Sequence, residues 1–162
     1  ICGATETILC HKDIAKQVLP HLLEKLLNAG CEVRGDNYLT SLSKKIKKAS
    51  EQDWKKEYLD SIVSIKVVNS LNEAIKHINN YSSKHTDAII TNSTKNAKLF
   101  LTEIESAIVM HNTSTQFSDG AEFGLGAEIG ISTGKLHARG PVSTQELTTY
   151  KYIVKGNGQL RQ

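Results

Sequence analysis

Aromatic residues are scarce in this chain: one Trp, five Tyr and three Phe among 162 residues. Basic surfaces that bind nucleic acid usually interleave aromatics with their lysines or belong to a recognisable fold. The lysine runs Lys44-Lys45-Ile46-Lys47-Lys48 and Lys55-Lys56 have neither accompaniment. They read as solvated surface, and no nucleic-acid partner is expected from a net charge of only +3. No apolar run approaches the roughly 20 residues of a membrane-spanning helix, so no membrane association is expected. The N-terminus lacks the basic start and long apolar stretch of a signal peptide. Cysteines number three, Cys2, Cys10 and Cys31, with no C-x-x-C pair. An odd, unpaired set points to reduced thiols and to the cytoplasm. Six histidines occur without zinc-helix or finger spacing, which leaves no metal site in view. An initiating Met is missing too, and the chain opens with a cysteine two residues in, as a piece of a longer protein would.

What is present is an alternation of short β-branched runs with amphipathic segments. Thr7-Ile8-Leu9-Cys10 suits a buried strand. Ile14, Val18, Leu22, Leu26 and Leu27 then recur at helical spacing, with Asp13 as candidate N-cap, Gly30 as stop and Pro20 as a kink or break. Cys31 to Arg34 predicts a brief strand, followed by a turn at Gly35-Asp36-Asn37. Residues 41–56 are polar and predict a short helix and a loop. Ile62 to Val68 is the clearest strand, and helix 71–80 follows with Leu71, Ala74, Ile75 and Ile78 on one face. Strands at Ala88–Thr91 and Ala107–Met110 flank a helix capped by Ser93 or Thr94 and running through Ile104. Such alternation predicts α/β architecture with a largely parallel sheet and flanking helices. From His111 to Gly140, six glycines and few large apolar residues predict mostly loop. Long irregular segments of this kind tend to carry function. Thr148 to Val154 reads as an extended strand.

Individually the candidate motifs are weak. Cys2 could act as a thiolate nucleophile on an acyl or aldehyde carbon, or be a structural thiol. Gly124-Leu125-Gly126 could cradle a phosphate, yet no strand leads into it and no third glycine completes a dinucleotide fingerprint. Arg139, in His137-Ala138-Arg139-Gly140-Pro141, could grip a carboxylate or phosphate in its forked geometry, or simply anchor a loop.

Taken in order, the motifs resemble the C-terminal portion of the gamma-glutamyl phosphate reductases (glutamate-5-semialdehyde dehydrogenases), a branch of the aldehyde-dehydrogenase superfamily. Ile1-Cys2-Gly3-Ala4-Thr5-Glu6-Thr7-Ile8-Leu9 is similar to the segment that bears that family's catalytic cysteine. Asp53-Trp54, Glu57-Tyr58-Leu59-Asp60 and Ile65-Lys66-Val67-Val68 are similar to its middle region. The longest match is Asn112, Ser114-Thr115, Phe117, Asp119-Gly120, Phe123-Gly124, Gly126-Ala127-Glu128, Ser132-Thr133, His137 to Pro141 and Leu147 to Lys151. The resemblance covers essentially the whole chain. It departs at Gly3 (usually Asn), Gln116 (usually Arg) and Ser143-Thr144 (usually Gly-Leu).

The resemblance implies the aldehyde-dehydrogenase catalytic domain over residues 1–146 and a C-terminal β-arm over 147–162 that joins subunits into a homo-oligomer, with the N-terminal cofactor-binding domain absent. It implies NADPH-dependent reduction of L-glutamate 5-phosphate to L-glutamate 5-semialdehyde, a step of proline biosynthesis, through a thioester. Cys2 would be the nucleophile. Asn112, Ser114, Thr115 and Arg139 would lie near the substrate, Glu57 would contact the nicotinamide ribose of NADP(H), and the loop from Phe123 to Glu128 would wall the site. Because the resemblance leaves out most of the dinucleotide-binding domain, this chain alone is expected neither to bind NADP(H) nor to turn over. The alternative is a noncatalytic fold or assembly module that keeps only packing and oligomer surfaces.

Overall fold

Strand β4 (Ile62–Val68) is the centre of the molecule because its sequence can be buried on both faces: Val63, Ser64 and Ile65 are consecutive and all nearly inaccessible. In the computed structural model, which describes residues 1–161, four parallel strands form one sheet in the order β1-β4-β2-β3. β1 is Thr7–His11, β2 is Glu32–Gly35 and β3 is the two-residue Lys47–Lys48. The register pairs Thr7 with Ser64, Val33 with Val63, and Arg34 with Lys47. Parallel strands need crossover connections, and helix α1 (Lys12–Asn28) supplies the one from β1 to β2, between which β4 inserts. Its Ala15, Leu19 and Leu23 are buried against Cys10, Val33, Val63 and Ile65, so the buried face is rotated from the expected one: Ile14 and Val18 are exposed, and Leu22, Leu26 and Leu27 only flank the core. Leu19 is fully inaccessible, and trimming it to Ala would cost about 3 kcal/mol.

Two local details differ from expectation. His11, not Asp13, is the N-cap of α1, its ring nitrogen accepting the Asp13 N–H at 3.3 Å. Pro20 neither ends nor interrupts the helix. It cannot donate to the Lys16 carbonyl, but both residues are exposed, so the group that the proline orphans lies on the solvent side of the helix.

The expected turn at residues 35–37 is instead a strand end leading directly into helix α2 (Asn37–Leu42). Asp36 makes this possible. One carboxylate oxygen caps α2 at the Leu39 N–H (3.0 Å), and the other accepts the Val67 N–H of β4 at 2.8 Å. Gly35 is required for space, since a Cβ there would collide with the Leu39 side chain. Within the lysine-rich stretch, Glu51–Lys55 forms a 3-10 turn.

Residues 71–111 build a second layer. Helices α3 (Leu71–Tyr81) and α4 (Thr94–Glu103) pack through Ile75, Phe100 and Ile104 onto the parallel pair β5 (Thr86–Ile89) and β6 (Ile108–His111). Ser70 and Ser93 cap the two helices by accepting the N–H three residues on. β5 lies two residues earlier than Ala88–Thr91, because Thr86 and Asp87 are the residues that pair with Ile108 and Val109.

The glycine-rich segment is mostly irregular but includes a small antiparallel pair, β7 (Gly130–Ser132) and β8 (Gly140–Val142). The expected strand over 148–154 does not form: residues 148–161 have no ladder partner among the described residues. An extended segment becomes a strand only when another backbone takes up its N–H and C=O groups. Tyr150, Tyr152, Ile153 and Val154 are correspondingly exposed, and the two tyrosine rings meet edge to face at 5.5 Å. Of the described residues, no helix is long and apolar enough to cross a membrane.

Candidate active site

Cys2 occupies the corner of a tight turn, closed where the Ala4 N–H donates to the Ile1 carbonyl at 3.1 Å. The thiol is exposed, whereas Cys10 is buried in the sheet core and Cys31 is half-buried. Burial pushes the Cys10 thiol up, away from the reactive thiolate. The chain from the turn runs into β1 alongside β4, and Ser64 of β4 donates its N–H to the Glu6 carbonyl at 2.9 Å.

That pairing draws the approach to β4 beside the approach to β1. A cavity of about 260 Å³ opens between them, walled by Ile1, Ala4, Glu6, Glu57, Tyr58 and Leu59 among others. The structure thereby brings Ile1 and Ala4, the two ends of the Cys2 turn, to one cavity with Glu57, while Cys2 itself lies outside the lining. Burial raises the Glu6 carboxyl, and the nearby Glu57 raises it further, while the Tyr58 N–H partly offsets both. Glu6 belongs to this wall although sequence reasoning assigned it no role. Its place just before a strand was the available signal, but strand parity alone cannot say what lies opposite.

Beneath Glu57 is a polar anchor. The Tyr58 hydroxyl donates to Asp53 Oδ1 at 2.9 Å and is within 2.6 Å of Ser64 Oγ, whose proton it can therefore accept. Asp53 also accepts from Arg34 Nη1 (2.6 Å), the Ser50 N–H (2.6 Å) and the Ser50 hydroxyl (2.7 Å). Burial alone would raise this carboxyl, but Ser50, Arg34 and Tyr58 outweigh it and hold the group well below the usual carboxylate range. Those bonds to Asp53, and a second to Glu32, raise Arg34 in turn. Burial and Asp53 raise the Tyr58 phenol, with Ser64 opposing.

Thr115 meets the Cys2 turn from the far end of the chain. It opens a 3-10 turn (Thr115–Phe117) that Ser114 caps by accepting the Gln116 N–H at 3.2 Å. The Thr115 hydroxyl donates to the Gly3 carbonyl at 2.7 Å and lies 3.2 Å from the Thr5 hydroxyl. Gly3 and Gln116, two of the positions that depart from the family pattern, lie against each other: a Cβ on Gly3 would fall 3.1 Å from the Gln116 Cα.

Asn112 and Arg139 are engaged elsewhere. Asn112, in the left-handed region at φ 53°, accepts the Thr91 N–H (2.8 Å) and donates to the Thr91 carbonyl (2.9 Å), closing the end of the β5–β6 pair. Arg139 donates through Nη2 to the Glu105 carbonyl, whose side chain pairs with Lys135, and its Nε is buried without a partner. The loop from Phe123 to Glu128 folds back on itself, Glu128 accepting the Gly120 N–H at 2.6 Å. Ser143, a further departure, holds Glu146 through its N–H and hydroxyl at 2.9 and 2.6 Å.

Comparison with known proteins converges on one group. The model of the aldehyde dehydrogenase family matches residues 47–152. A gamma-glutamyl phosphate reductase of Rhodospirillum rubrum is 57% identical over 161 residues, 99% of this chain and 38% of the relative. One from Sphingopyxis alaskensis is 58% identical over 99% of this chain and 37% of its own length. The crystal structure of gamma-glutamyl phosphate reductase from Thermotoga maritima superposes with a TM-score of 0.96 at 49% identity, covering 100% of this chain and 39% of that one. The chain thus spans under two fifths of the length of the curated relatives it matches.

Proposed function

The chain belongs to the aldehyde dehydrogenase family, and from that premise we propose that it is the thiol-bearing portion, residues 1–146, of a gamma-glutamyl phosphate reductase. The observation that carries the reading is the cavity on which the Cys2 turn and Glu57 converge, although α1, α2 and three strands separate them in sequence. Similarity along nearly all of this chain to under two fifths of reductases of that name supports it.

Cys2 does the bond-making. Its thiolate attacks the acyl carbon of gamma-glutamyl phosphate, the C–O bond to phosphate breaks, and phosphate leaves with the electron pair. A thioester on Cys2 results. When bound, a nicotinamide cofactor, NADPH in this reading, would supply hydride, and the Cys2-bound acyl carbon would accept it as a thiohemiacetal anion. Collapse of that adduct expels the Cys2 thiolate and releases glutamate 5-semialdehyde. The residues present fit such a cofactor: Glu57 and Glu6 offer carboxylate acceptors on one cavity wall, and a ribose offers two hydroxyl donors. Glu57 would hold those hydroxyls, and the Asp53–Tyr58 anchor would fix its backbone. Ser114 and Thr115 would stand at the substrate's side of the turn. Asn112 would act there only through its remaining amide hydrogen and lone pair, since Thr91 takes the others. Arg139 would have to give up Glu105 to reach an anionic substrate.

The exposed apolar residues Tyr150, Tyr152, Ile153 and Val154 support a further role for 147–162 as an arm that pairs with a second subunit. A biosynthetic role of this kind fits a cytoplasmic protein.

The test supplies the N-terminal portion of a related reductase in trans and follows NADPH consumption with gamma-glutamyl phosphate. The chain alone is expected to show none, because positioning the cofactor supplies much of the rate. Activity should appear on complementation and vanish with Cys2→Ala. Complemented activity that survives Cys2→Ala would rule the reading out.

A further inference from the structure

The contact between the Cys2 turn and the 3-10 turn at Thr115 is closer than packing alone requires. Gly3 is buried and has no unusual φ, so its lack of a side chain serves space rather than conformation. A Cβ there would lie 2.8 Å from the Thr115 carbonyl oxygen and 3.3 Å from its carbon, both backbone atoms that cannot swing aside. Into this gap the Thr115 hydroxyl sends its single proton, to the Gly3 carbonyl at 2.7 Å. With that proton committed, the 3.2 Å contact to Thr5 requires Thr5 to be the donor and Thr115 the acceptor. One hydroxyl therefore bridges both sides of the turn whose corner is Cys2.

The far side is held as firmly. The Thr115 carbonyl that faces Gly3 accepts the Ser118 N–H at 3.0 Å. Ser118 is almost fully buried and its hydroxyl bonds Thr86 of β5, which in turn lies 2.7 Å from His85 Nδ1. The anchor of the Cys2 turn is thus the second layer of the fold, reached by a continuous run of hydrogen bonds.

We infer that Thr115 is a positioning residue for the Cys2 thiol: its hydroxyl fixes the Gly3 carbonyl and the Thr5 side chain, and through them the direction in which Cys2 leaves the turn. The glycine that this chain carries at position 3 in place of the family's usual Asn lets Thr115 come this near. The inference rests on Cys2 being the nucleophile and adds to the proposed place of Thr115 near the substrate a role exerted through the protein backbone.

The experiment uses the full chain and three variants, Thr115→Val, Thr115→Ser and Gly3→Ala. Exchange of the Ala4 amide, which closes the turn, is measured by NMR. Acetyl phosphate serves as an acyl-phosphate probe: attack by a thiolate forms the S–acyl bond, releases phosphate and leaves an acetyl thioester that mass spectrometry locates. Thr115→Val, which keeps the shape and removes the hydroxyl, should speed Ala4 exchange about tenfold, the weight of one hydrogen bond. It should slow acetylation of Cys2 by a similar factor and leave the amides of β1 unchanged. Gly3→Ala should do the same by collision, and Thr115→Ser should restore both rates. Wild-type exchange in Thr115→Val overturns the clamp. Faster exchange with unchanged Cys2 acetylation overturns the positioning role. Preferential acetylation of Cys31 in the wild-type chain would instead remove the nucleophile reading and the inference with it, leaving the exchange result as packing alone.

Discussion

Arg34 Nη1 donates to Asp53 Oδ1 across 2.6 Å, with the Asp53 side chain 7% exposed and the Arg34 side chain 23% exposed. The pair joins the end of β2 to the 3-10 turn ahead of β4, and through Tyr58 it supports the wall that carries Glu57. Removing one partner of a buried pair leaves the other uncompensated, which is more costly than never having built it.

Asp53→Asn, which leaves Arg34 paired with Glu32 alone, should destabilise the chain by about 2 kcal/mol at neutral pH. The folded-state carboxyl titrates far below the ordinary value of about 3.9, so its contribution is complete above that value and fades as pH falls beneath it. Urea midpoints at pH 7 and pH 3 check this. The gap between wild type and Asp53→Asn should narrow at the lower pH.

His77 gives a second pH signature, in a different window. It is 5% exposed between Trp54 and Tyr81, with ring centroids 5.4 and 4.6 Å away. Lys66 Nζ lies 3.5 Å from Nδ1, and an ammonium can only donate, so the neutral ring carries its proton on Nε2. Burial and then Lys66 lower its pKa to about 4, against the pull of Glu51 and Glu73. The unfolded chain, with an ordinary value of about 6.5, binds the proton first. Stability should therefore rise with pH between those two values, by up to about 1.4 kcal/mol per unit. His77→Leu should lack that slope, and Lys66→Met should move the His77 titration upward by NMR.

The three thiols should separate by accessibility. A small alkylating reagent is expected to label exposed Cys2 first, half-buried Cys31 next and buried Cys10 last. The raised Cys10 thiol reinforces its place. Mass spectrometry of partly labelled protein reads the order, and early labelling of Cys10 would contradict the β1 placement.

The C-terminal segment should govern association. Light scattering on the full chain is expected to show a dimer or larger species, weakened or lost in a chain ending at Glu146. Equal masses and equal stabilities for the two would remove the arm assignment.

Much of the architecture is legible in the residues themselves. The β-branched run Ile62–Val68 and the apolar spacing within residues 14–27 specify a buried strand and a helix by periodicity, which depends only on near neighbours, but the face that the helix buries, Ala15, Leu19 and Leu23, is not the one the spacing suggests. Ser93 marks a helix start for the same local reason. The Cys2 segment, too, stands out as a motif. Tertiary structure decided the rest. Pro20 stays helical because the Lys16 carbonyl that it leaves without a donor lies on the exposed side of α1, and Asp36 becomes a cap because β4 offers the Val67 N–H. Residues 148–154 have strand-forming sequence but no ladder partner within the described chain. Above all, Gly3 meets Thr115 and Glu6 meets Tyr58 only after the sheet has registered β1 on β4 and the second layer has set Ser118 against Thr86. Contacts between residues so far apart in sequence depend on which surfaces bury one another, and no local pattern of residues encodes that.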